Sequence, residues 1–270
     1  MGELLGRWHA ALAEQSPVAI ATIVEGPGLG NKLLVSPEDH TGTAGNDELD
    51  KAAVEAARGL LEGGRTETVH LGPRGQRRME DVAVFIQSFA PPPRMYVFGA
   101  IDFASAVARA GKFMGYRVIV CDARAVFATR ERFPSADEIV VAWPDEFLKT
   151  AEVDGRSVIA VLTHDPKFDV PVLKEALKTP AGYIGAMGSR RTHDNRTARL
   201  KEEGVTDEQL ARISSPIGLD LGARTPEETA IAIAAEIVAL RTGHSGGRLA
   251  ERSGPIHSAA PDTRTRDGVK

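Results

Sequence analysis

The first ninety residues alternate between amphipathic stretches and short apolar runs. Apolar side chains at helical spacing predict helices over residues 3–15 and 47–61. Short β-rich runs bounded by glycine or polar loops predict strands at 18–24, 32–35, 67–71 and 81–89. Residues 1–90 are therefore expected to form a small mixed α+β domain with an antiparallel sheet.

A different pattern begins after Pro91-Pro92-Pro93, since three prolines cannot continue a helix or an internal strand. We take residues 91–94 as a linker. The elements then expected are strands at 95–98, 117–121, 138–142, 158–162 and 183–184, and helices at 103–114, 169–178, 189–203 and 226–241. Alternating strands and helices predict a parallel sheet covered on both faces, so residues 95–242 are expected to form a Rossmann-like α/β domain. Residues 243–270 lack apolar periodicity and are expected to be a flexible tail.

Composition excludes several classes of function. The chain has 42% hydrophobic residues, 26% charged residues and a net charge of −4, which gives no global field that would attract nucleic acid. No apolar run approaches the roughly 20 residues that span a bilayer, and the start lacks a signal-peptide pattern, so we expect a cytoplasmic protein. Cys121 is the single cysteine, which excludes an intrachain disulfide and a multi-cysteine metal site. A homodimer is the default expectation for a protein of this size.

The turn after the first strand of the second domain has the context of a dinucleotide fingerprint. Gly99 and Ala100 lie between a strand and a helix, where such a turn meets the pyrophosphate. Ile101 stands at the second glycine position, where a missing side chain lets the backbone approach a ligand, and Ala104 stands at the third. The turn is therefore either a modified cofactor contact or Rossmann geometry that binds nothing.

Polar residues follow two of the predicted strands and are candidates for ligand contacts at the carboxyl edge of the sheet. Asp122 lies where an acidic group would meet a ribose hydroxyl, although it can equally pair with Arg124. Thr163, His164 and Asp165 follow a buried-strand run. The imidazole and the carboxylate are a candidate acid/base pair, while Asp165 before proline also suits a helix N-cap.

A glycine-containing turn with two arginines predicts an anion site. Gly185 and Gly188 precede Ser189, which is a candidate cap for the next helix, and Arg190 and Arg191 lie in its first turn. Basic residues there oppose the helix dipole unless an anion offsets them. A helix N-terminus with guanidinium groups suits phosphate or carboxylate. The alternative is that the arginines belong to a solvated face or pair with a second protomer.

One more loop near the last helix is a candidate contact. Asp220 lies between Gly218 and Gly222, and the glycines indicate a loop held close either to a ligand or to a neighbouring backbone. Thr225 and Glu228 follow it with the spacing of a capping box.

Four blocks of residues together resemble the C-terminal domain of the XdhC/CoxI family, in order and spacing, over about residues 94–242. The blocks are Phe98-Gly99-Ala100, Thr163-His164-Asp165, residues 185–193 and residues 218–228. The resemblance implies a Rossmann-like domain and a chaperone that binds molybdenum cofactor (molybdopterin). It implies delivery of that cofactor to a molybdenum hydroxylase client enzyme of the xanthine or carbon monoxide dehydrogenase type. The short N-terminal domain lacks the cysteine-glycine-glycine element of the family, so the chain resembles a divergent member.

Two other functions are compatible with the same residues. An NAD(P)-dependent oxidoreductase would use Asp122 for the cofactor and His164 as a proton donor, although Ile101 disfavours it. An interaction scaffold would bind neither cofactor. We place the cofactor chaperone first among the three.

Overall fold

The computed structural model describes residues 2–76, 79, 81–251 and 253, and they form two sheets with eight α-helices. The helices are α1 (Gly2–Ala13), α2 (Asp47–Glu62), α3 (Asp102–Phe113), α4 (Pro144–Leu148), α5 (Pro166–Ala176), α6 (Arg190–Glu202), α7 (Asp207–Leu210) and α8 (Pro226–Thr242). The strands are β1 (Val18–Glu25), β2 (Lys32–Val35), β3 (His40–Gly42), β4 (Glu67–Leu71), β5 (Val82–Phe89), β6 (Arg94–Phe98), β7 (Arg117–Cys121), β8 (Glu138–Val140), β9 (Val158–Val161), β10 (Tyr183–Ala186) and β11 (Ile213–Ser214).

The first sheet is antiparallel and has the order β3-β2-β1-β5-β4. Helix α2 packs on it with a stripe of buried apolar residues, and Asn46 begins that helix by accepting a hydrogen bond from the Leu49 N–H at 2.9 Å. The predicted mixed α+β arrangement is confirmed. Strand β3 was not predicted because its three residues, His40–Gly42, contain no apolar run.

The second sheet is parallel and has the order β11-β10-β9-β6-β7-β8, which confirms the Rossmann-like prediction. Strands β7 and β8 lie on one side of β6, and strands β9 to β11 lie on the other. The strand order therefore reverses between β6 and β9. Open α/β sheets bind ligands in the crevice outside the carboxyl ends of the strands at such a point.

Two apolar cores cover the faces of this sheet. Helices α3 and α8 pack on one face, where the buried cluster includes Val97, Val120 and Ile233. Helix α5 and part of α6 cover the other face, with Phe98 and Leu173 among the fully buried side chains. The central strands are buried on both sides, which explains why they read as continuous apolar runs.

Helix boundaries differ most at α5, which begins at Pro166 and not at the predicted 169. Asp165 caps it by accepting a hydrogen bond from the Lys167 N–H at 3.0 Å, and proline suits the first helical position. The short elements α4, α7 and β11 were not predicted, because two to five residues are too few to show a period.

The proposed linker at 91–94 lies where the chain passes from the first sheet, which ends at Phe89, to the second sheet, whose first strand begins at Arg94. Of the predicted tail, residues 243–251 and 253 are described, and the remainder lies outside the described residues. Among the described helices, none combines the length and apolarity needed to cross a membrane.

Candidate functional site

The loops after β6 and β9 meet at the point where the strand order reverses. Gly99 has φ +102°, and a Cβ on it would lie 2.4 Å from Thr163 Cγ2 and 3.0 Å from the Thr163 N atom. The Leu162 N–H donates to the Phe98 carbonyl at 2.8 Å, which continues the strand pairing up to the loops. The glycine is therefore required for the two loops to pack together.

Asp122 is buried at the end of β7 and is fully engaged by protein groups. Its carboxylate accepts hydrogen bonds from the Ala100 N–H at 2.7 Å, the Arg124 N–H at 2.9 Å, and Arg124 Nε and Nη2 at 2.9 and 2.8 Å. Burial alone raises the pKa of Asp122, but these hydrogen bonds outweigh burial and hold the pKa below its ordinary value. The carboxylate thus ties the Gly99–Ala100 turn to Arg124.

The N-terminus of α3 departs from the dinucleotide fingerprint in its residues. The N-cap residue Ile101 makes no side-chain capping hydrogen bond, and its side chain packs against the apolar cluster beneath. Asp102, in the first turn, is exposed and pairs with Arg132 at 3.0 Å. A carboxylate at this helix end repels the negative charge that a dinucleotide fingerprint normally attracts.

Thr163, His164 and Asp165 follow β9 and make three different kinds of contact. The Thr163 hydroxyl donates to Asp169, and Asp165 is the N-cap of α5. His164 is exposed, and its ring forms no hydrogen bond with any residue that the structure describes. The imidazole and the Asp165 carboxylate are adjacent in sequence but are not bonded to each other.

A buried ion pair beneath these loops was missed by the sequence interpretation. Arg196 Nη2 lies 2.7 Å from Asp169 Oδ2 and 2.7 Å from the Met187 carbonyl, and Nη1 lies 3.3 Å from Ser215 Oγ. Both charged side chains are at least 95% buried. The pair joins the first turn of α5 to the segments that follow β10 and β11.

A signal for the buried arginine does exist in the sequence. Arg196 stands four residues from Thr192 and four from Leu200, so the three share one face of α6. Leu200 is buried, and Arg196 lies on the same face of the helix. Asp169 gave no such signal, because its charged partner, Arg196, is distant in sequence.

The N-terminus of α6 carries two unpaired cations. Ser189 caps the helix by accepting a hydrogen bond from the Thr192 N–H at 3.2 Å. Arg190 and Arg191 are exposed, and neither forms a hydrogen bond or ion pair within residues 2–76, 79, 81–251 and 253. Gly188, with φ +152°, keeps the turn close to the helix, since a Cβ there would lie 2.9 Å from Thr192 Cβ.

Four helices of the second domain differ sharply in the charge of their first turns. Helices α3, α5 and α8 each have at least one acidic residue there, and α6 has none. The helix dipole favours anions at this end, and the two guanidinium groups add to that preference. Of these four helix ends, the start of α6 is the most favourable for an anion.

The loop from Gly218 to Gly222 is held by α8. The Gly218 N–H donates to Glu236 at 2.9 Å, and a Cβ on Gly218 would lie 3.2 Å from the Ile233 N atom. Glu236 also accepts a hydrogen bond from the hydroxyl of Tyr183, whose pKa is raised mainly by burial. The approach of Gly218 is thus to neighbouring backbone.

The other two residues of interest in this loop are open to solvent. Asp220 is exposed and has no partner within the described part of the chain, and the space around Gly222 is open to at least 4 Å. Gly185, by contrast, is enclosed within β10, where a Cβ would lie 2.5 Å from Ile217 Cδ1.

Metal ligation finds no support among the described residues. No three of their histidine, cysteine, aspartate or glutamate side chains come together as a metal-binding group. Cys121 is buried, and burial together with the neighbouring Asp122 raises its pKa to about 12. Its thiol is therefore protonated at neutral pH.

Comparison with protein-family models gives two matches that cover most of the chain. Residues 95–237 match the model described as the XdhC Rossmann domain. Residues 11–72 match the model described as the XdhC and CoxI family.

Three curated relatives are similar to parts of this chain. A protein of Escherichia coli (strain K12) named YqeB is 28% identical over 261 residues, which is 91% of this chain and 48% of that protein. A probable xanthine dehydrogenase subunit of Bacillus subtilis (strain 168) is 33% identical over 158 residues, 58% of this chain and 46% of that protein. The molybdenum cofactor insertion chaperone PaoD of Escherichia coli (strain K12) is 28% identical over 157 residues, 58% of this chain and 43% of that protein. The chain thus spans about half the length of these relatives.

A solved structure shares the fold. A crystal structure described as a xanthine dehydrogenase from Bacillus halodurans superposes with a TM-score of 0.52 at 19% identity, covering 92% of this chain and 98% of that one. At this identity the likeness concerns the fold.

Proposed function

The chain belongs to the XdhC and CoxI family, and from this premise we propose that it binds molybdenum cofactor and helps to insert it into a molybdenum hydroxylase. The similarity to PaoD, whose name gives it this role, supports the proposal. In this function the protein is a carrier in the cytoplasm and not a catalyst. Its client would be an enzyme of the xanthine or carbon monoxide dehydrogenase type.

The observation that carries the proposal is the pair of unpaired arginines at the start of α6. The pterin cofactor bears a terminal phosphate. This helix end offers free backbone N–H groups and the side chains of Arg190 and Arg191, and its first turn contains no acidic residue. Leaving two like charges unpaired beside the positive end of the dipole costs free energy that a bound phosphate would recover. The residues present therefore fit a phosphate-bearing cofactor.

Other candidate residues would surround the cofactor at the same edge of the sheet. His164 and Asp220 are exposed at loops after β9 and before α8, and their polar groups are free to contact a ligand. Gly99, Gly185 and Gly188 act indirectly, because their close packing sets the shape of the loops. Asp122 and Thr163 act through Ala100 and Asp169, to which they are bonded.

Co-purification tests the proposal. The protein would be expressed in a host that makes molybdenum cofactor, purified without oxygen, and assayed for pterin by oxidation and fluorescence. We expect bound pterin in the wild type and in Arg199→Ala/Lys201→Ala, which removes two cations from the other end of α6, but little in Arg190→Ala/Arg191→Ala. Equal amounts of bound pterin in the two double variants would show that Arg190 and Arg191 do not hold the phosphate. The absence of bound pterin from the wild type and both variants would count against cofactor binding.

Transfer to a client and self-association are separate parts of the proposal. A carrier must release its cofactor to a partner, so incubation of the loaded protein with cofactor-free molybdenum hydroxylase should restore that enzyme's activity. A homodimer is proposed as the carrier's form, and sedimentation velocity of the purified protein tests it.

A nicotinamide-dependent oxidoreductase is the second candidate, favoured by the parallel sheet whose order reverses at β6 and β9. In that function His164 would donate a proton beside NAD(P). The Asp102 carboxylate and the partly buried Ile101 side chain at the start of α3 disfavour a pyrophosphate there. Stabilisation of the protein by NAD or NADP in a melting experiment would bring this candidate to first place.

A further inference from the structure

Helix α8 is apolar on almost all of its sides. Within residues 229–240 its one charged side chain is Glu236, whose carboxylate accepts hydrogen bonds from the Tyr183 hydroxyl and the Gly218 N–H. A helix at the surface of a globular protein normally carries polar residues on the side that faces water, and a helix that is apolar all round is buried. The sequence of α8 is therefore typical of a helix that is covered on both sides.

One side of α8 packs against α3 and the second sheet, and the other side is open to solvent. Ile233 and Ile237 are buried in the core, whereas Ile231 is 60% exposed and Val238 is 39% exposed. The two exposed residues are seven positions apart, so they lie on the same side of the helix, two turns from each other. We call this exposed stripe the α8 face: Ile231, Ala234, Ala235 and Val238.

A large aromatic side chain lies beside the start of α8. Phe113, the last residue of α3, is 94% exposed. It follows Arg109 by four residues, so both lie on the same side of α3, and Arg109 pairs with Glu227 at the start of α8. Phe113 therefore extends the exposed apolar surface of the α8 face. Contiguous apolar patches of this kind mark protein–protein contacts more often than isolated apolar residues do.

The charges at the two ends of α8 have opposite signs. Glu227 and Glu228 lie in the first turn, and Arg241 lies in the last turn. Arg241 forms no ion pair with any acidic residue in the described part of the chain. Two parallel copies of the helix would bring like charges together, whereas two antiparallel copies bring the acidic end of each helix to the basic end of the other. The α8 face is therefore complementary in charge to a second copy of itself.

The order of residues along α8 has the same symmetry. In an antiparallel pair centred between residues 234 and 235, Ile231 of one helix lies level with Val238 of the other. Glu228 likewise lies level with Arg241. The two alanines at the centre then lie at the crossing point, and small side chains there let the helix axes approach closely. Such a contact is isologous, because each copy uses the same surface, as in most dimers with a two-fold axis.

We propose that two copies of this chain form a dimer through the α8 face, with their α8 helices packed antiparallel about a two-fold axis between Ala234 and Ala235. Residues 254–270 are a less suitable cover for this face, because their large apolar residues are only Ile256 and Val269. A second copy supplies a matching apolar stripe, the flanking Phe113 and the complementary charges.

The α8 face and the anion site lie on opposite sides of the second sheet. Helix α8 packs into the apolar cluster on one side, and α6 packs into the cluster on the other through Leu200. A dimer formed through α8 leaves the start of α6 free in both copies. The inference deepens one part of the proposed function, the homodimer, by assigning its surface; it rests on that homodimer and not on cofactor binding. A protein that binds no pterin can still form this dimer, so the two proposals fail separately.

Sedimentation velocity of the full chain tests the contact. Ile231→Glu and Val238→Glu each place a carboxylate in the α8 face at a site that is exposed in the single chain, so the fold is retained. Leu29→Glu is the control, because Leu29 is 69% exposed in a loop of the first sheet. We expect a wild-type dimer whose Kd rises at least tenfold in each α8 variant and is unchanged in Leu29→Glu. A monomeric wild type, or an unchanged Kd in both α8 variants, would overturn the proposal.

Cysteine cross-linking tests the antiparallel arrangement. The native Cys121 is buried, so a cysteine introduced into the α8 face is the reactive one. The two-fold axis places Ala235→Cys beside its own copy, within reach of a disulfide, whereas the two copies of Ile231 are separated by about 10 Å along the helix axis. Oxidation should therefore cross-link Ala235→Cys and Ile231→Cys/Val238→Cys, and leave Ile231→Cys and the wild type as single chains on a non-reducing gel.

Two results of the cross-linking experiment contradict the proposal. Cross-linking of Ile231→Cys to itself as readily as Ala235→Cys would mean that the helices are parallel. A monomer in which Ala235→Cys resists a thiol reagent would mean that another part of the same chain covers the α8 face.

Discussion

Thr163 fills the space that a side chain on Gly99 would need. Because the positive φ of Gly99 also disfavours other residues, Gly99→Ala combines backbone strain with overpacking. We expect the free energy of unfolding to fall by about 2–5 kcal/mol. Urea denaturation measures this loss. Gly115→Ala is the control, because Gly115 has φ +83° but open space to 4 Å, and it should lose only about 1–2 kcal/mol. Equal losses of unfolding free energy in the two variants would mean that the close approach to Thr163 adds nothing to the cost of the substitution at Gly99.

The buried pair of Asp169 and Arg196 should matter far more to stability than an exposed pair. Asp169→Asn leaves the Arg196 charge uncompensated, and breaking a buried pair in this way costs about 3–5 kcal/mol. The exposed pair of Arg109 and Glu227 is the comparison, and Glu227→Gln should cost at most about 1 kcal/mol. Chemical denaturation measures the free energy of unfolding of both variants. A loss for Asp169→Asn no larger than that for Glu227→Gln would contradict this prediction.

Lowering the pH should decrease the stability of the folded protein, partly through protonation of Asp122. The pKa of Asp122 in the folded protein is below its ordinary value of 3.8, so its contribution is present above that value and is lost as the pH falls towards the folded pKa. Asp122→Asn is therefore expected to be less stable than the wild type at pH 7, and the gap should narrow as the pH is lowered below about 4. Unfolding measured at several pH values tests this, and a gap independent of pH would show that the charge is unimportant.

Cys121 should be unreactive in the native protein. Its thiol is buried and its pKa is raised to about 12, so the reactive thiolate is scarce at pH 8. A thiol reagent such as dithionitrobenzoate should modify it only after unfolding, at one equivalent per chain. Rapid modification of the native protein would require an accessible cysteine and reopen a role for it.

Patterns with a local cause were predictable from the sequence. The parallel sheet follows from the alternation of strands and helices, and Ser189 and Thr225 are caps because their neighbours have the required spacing. Ile101 and Ala104 at the start of α3 were visible as departures from the dinucleotide fingerprint.

Features that depend on distant partners were not predictable. Nothing near Asp169 in the sequence indicates that its partner is Arg196, 27 residues later. Gly218 gave only the expectation of close approach, and the tertiary fold decided that α8 is the neighbour.

Binding of molybdenum cofactor can be measured directly by an anaerobic thermal-shift experiment with the purified cofactor. A ligand that binds only the folded state raises its stability, by about 2.7 kcal/mol at one hundred times the Kd. We predict that the cofactor raises the Tm of the wild type and of Arg199→Ala/Lys201→Ala, and that Arg190→Ala/Arg191→Ala loses most of the increase. An equal increase in both double variants, or stabilisation of the wild type by NAD or NADP but not by the cofactor, would contradict the account.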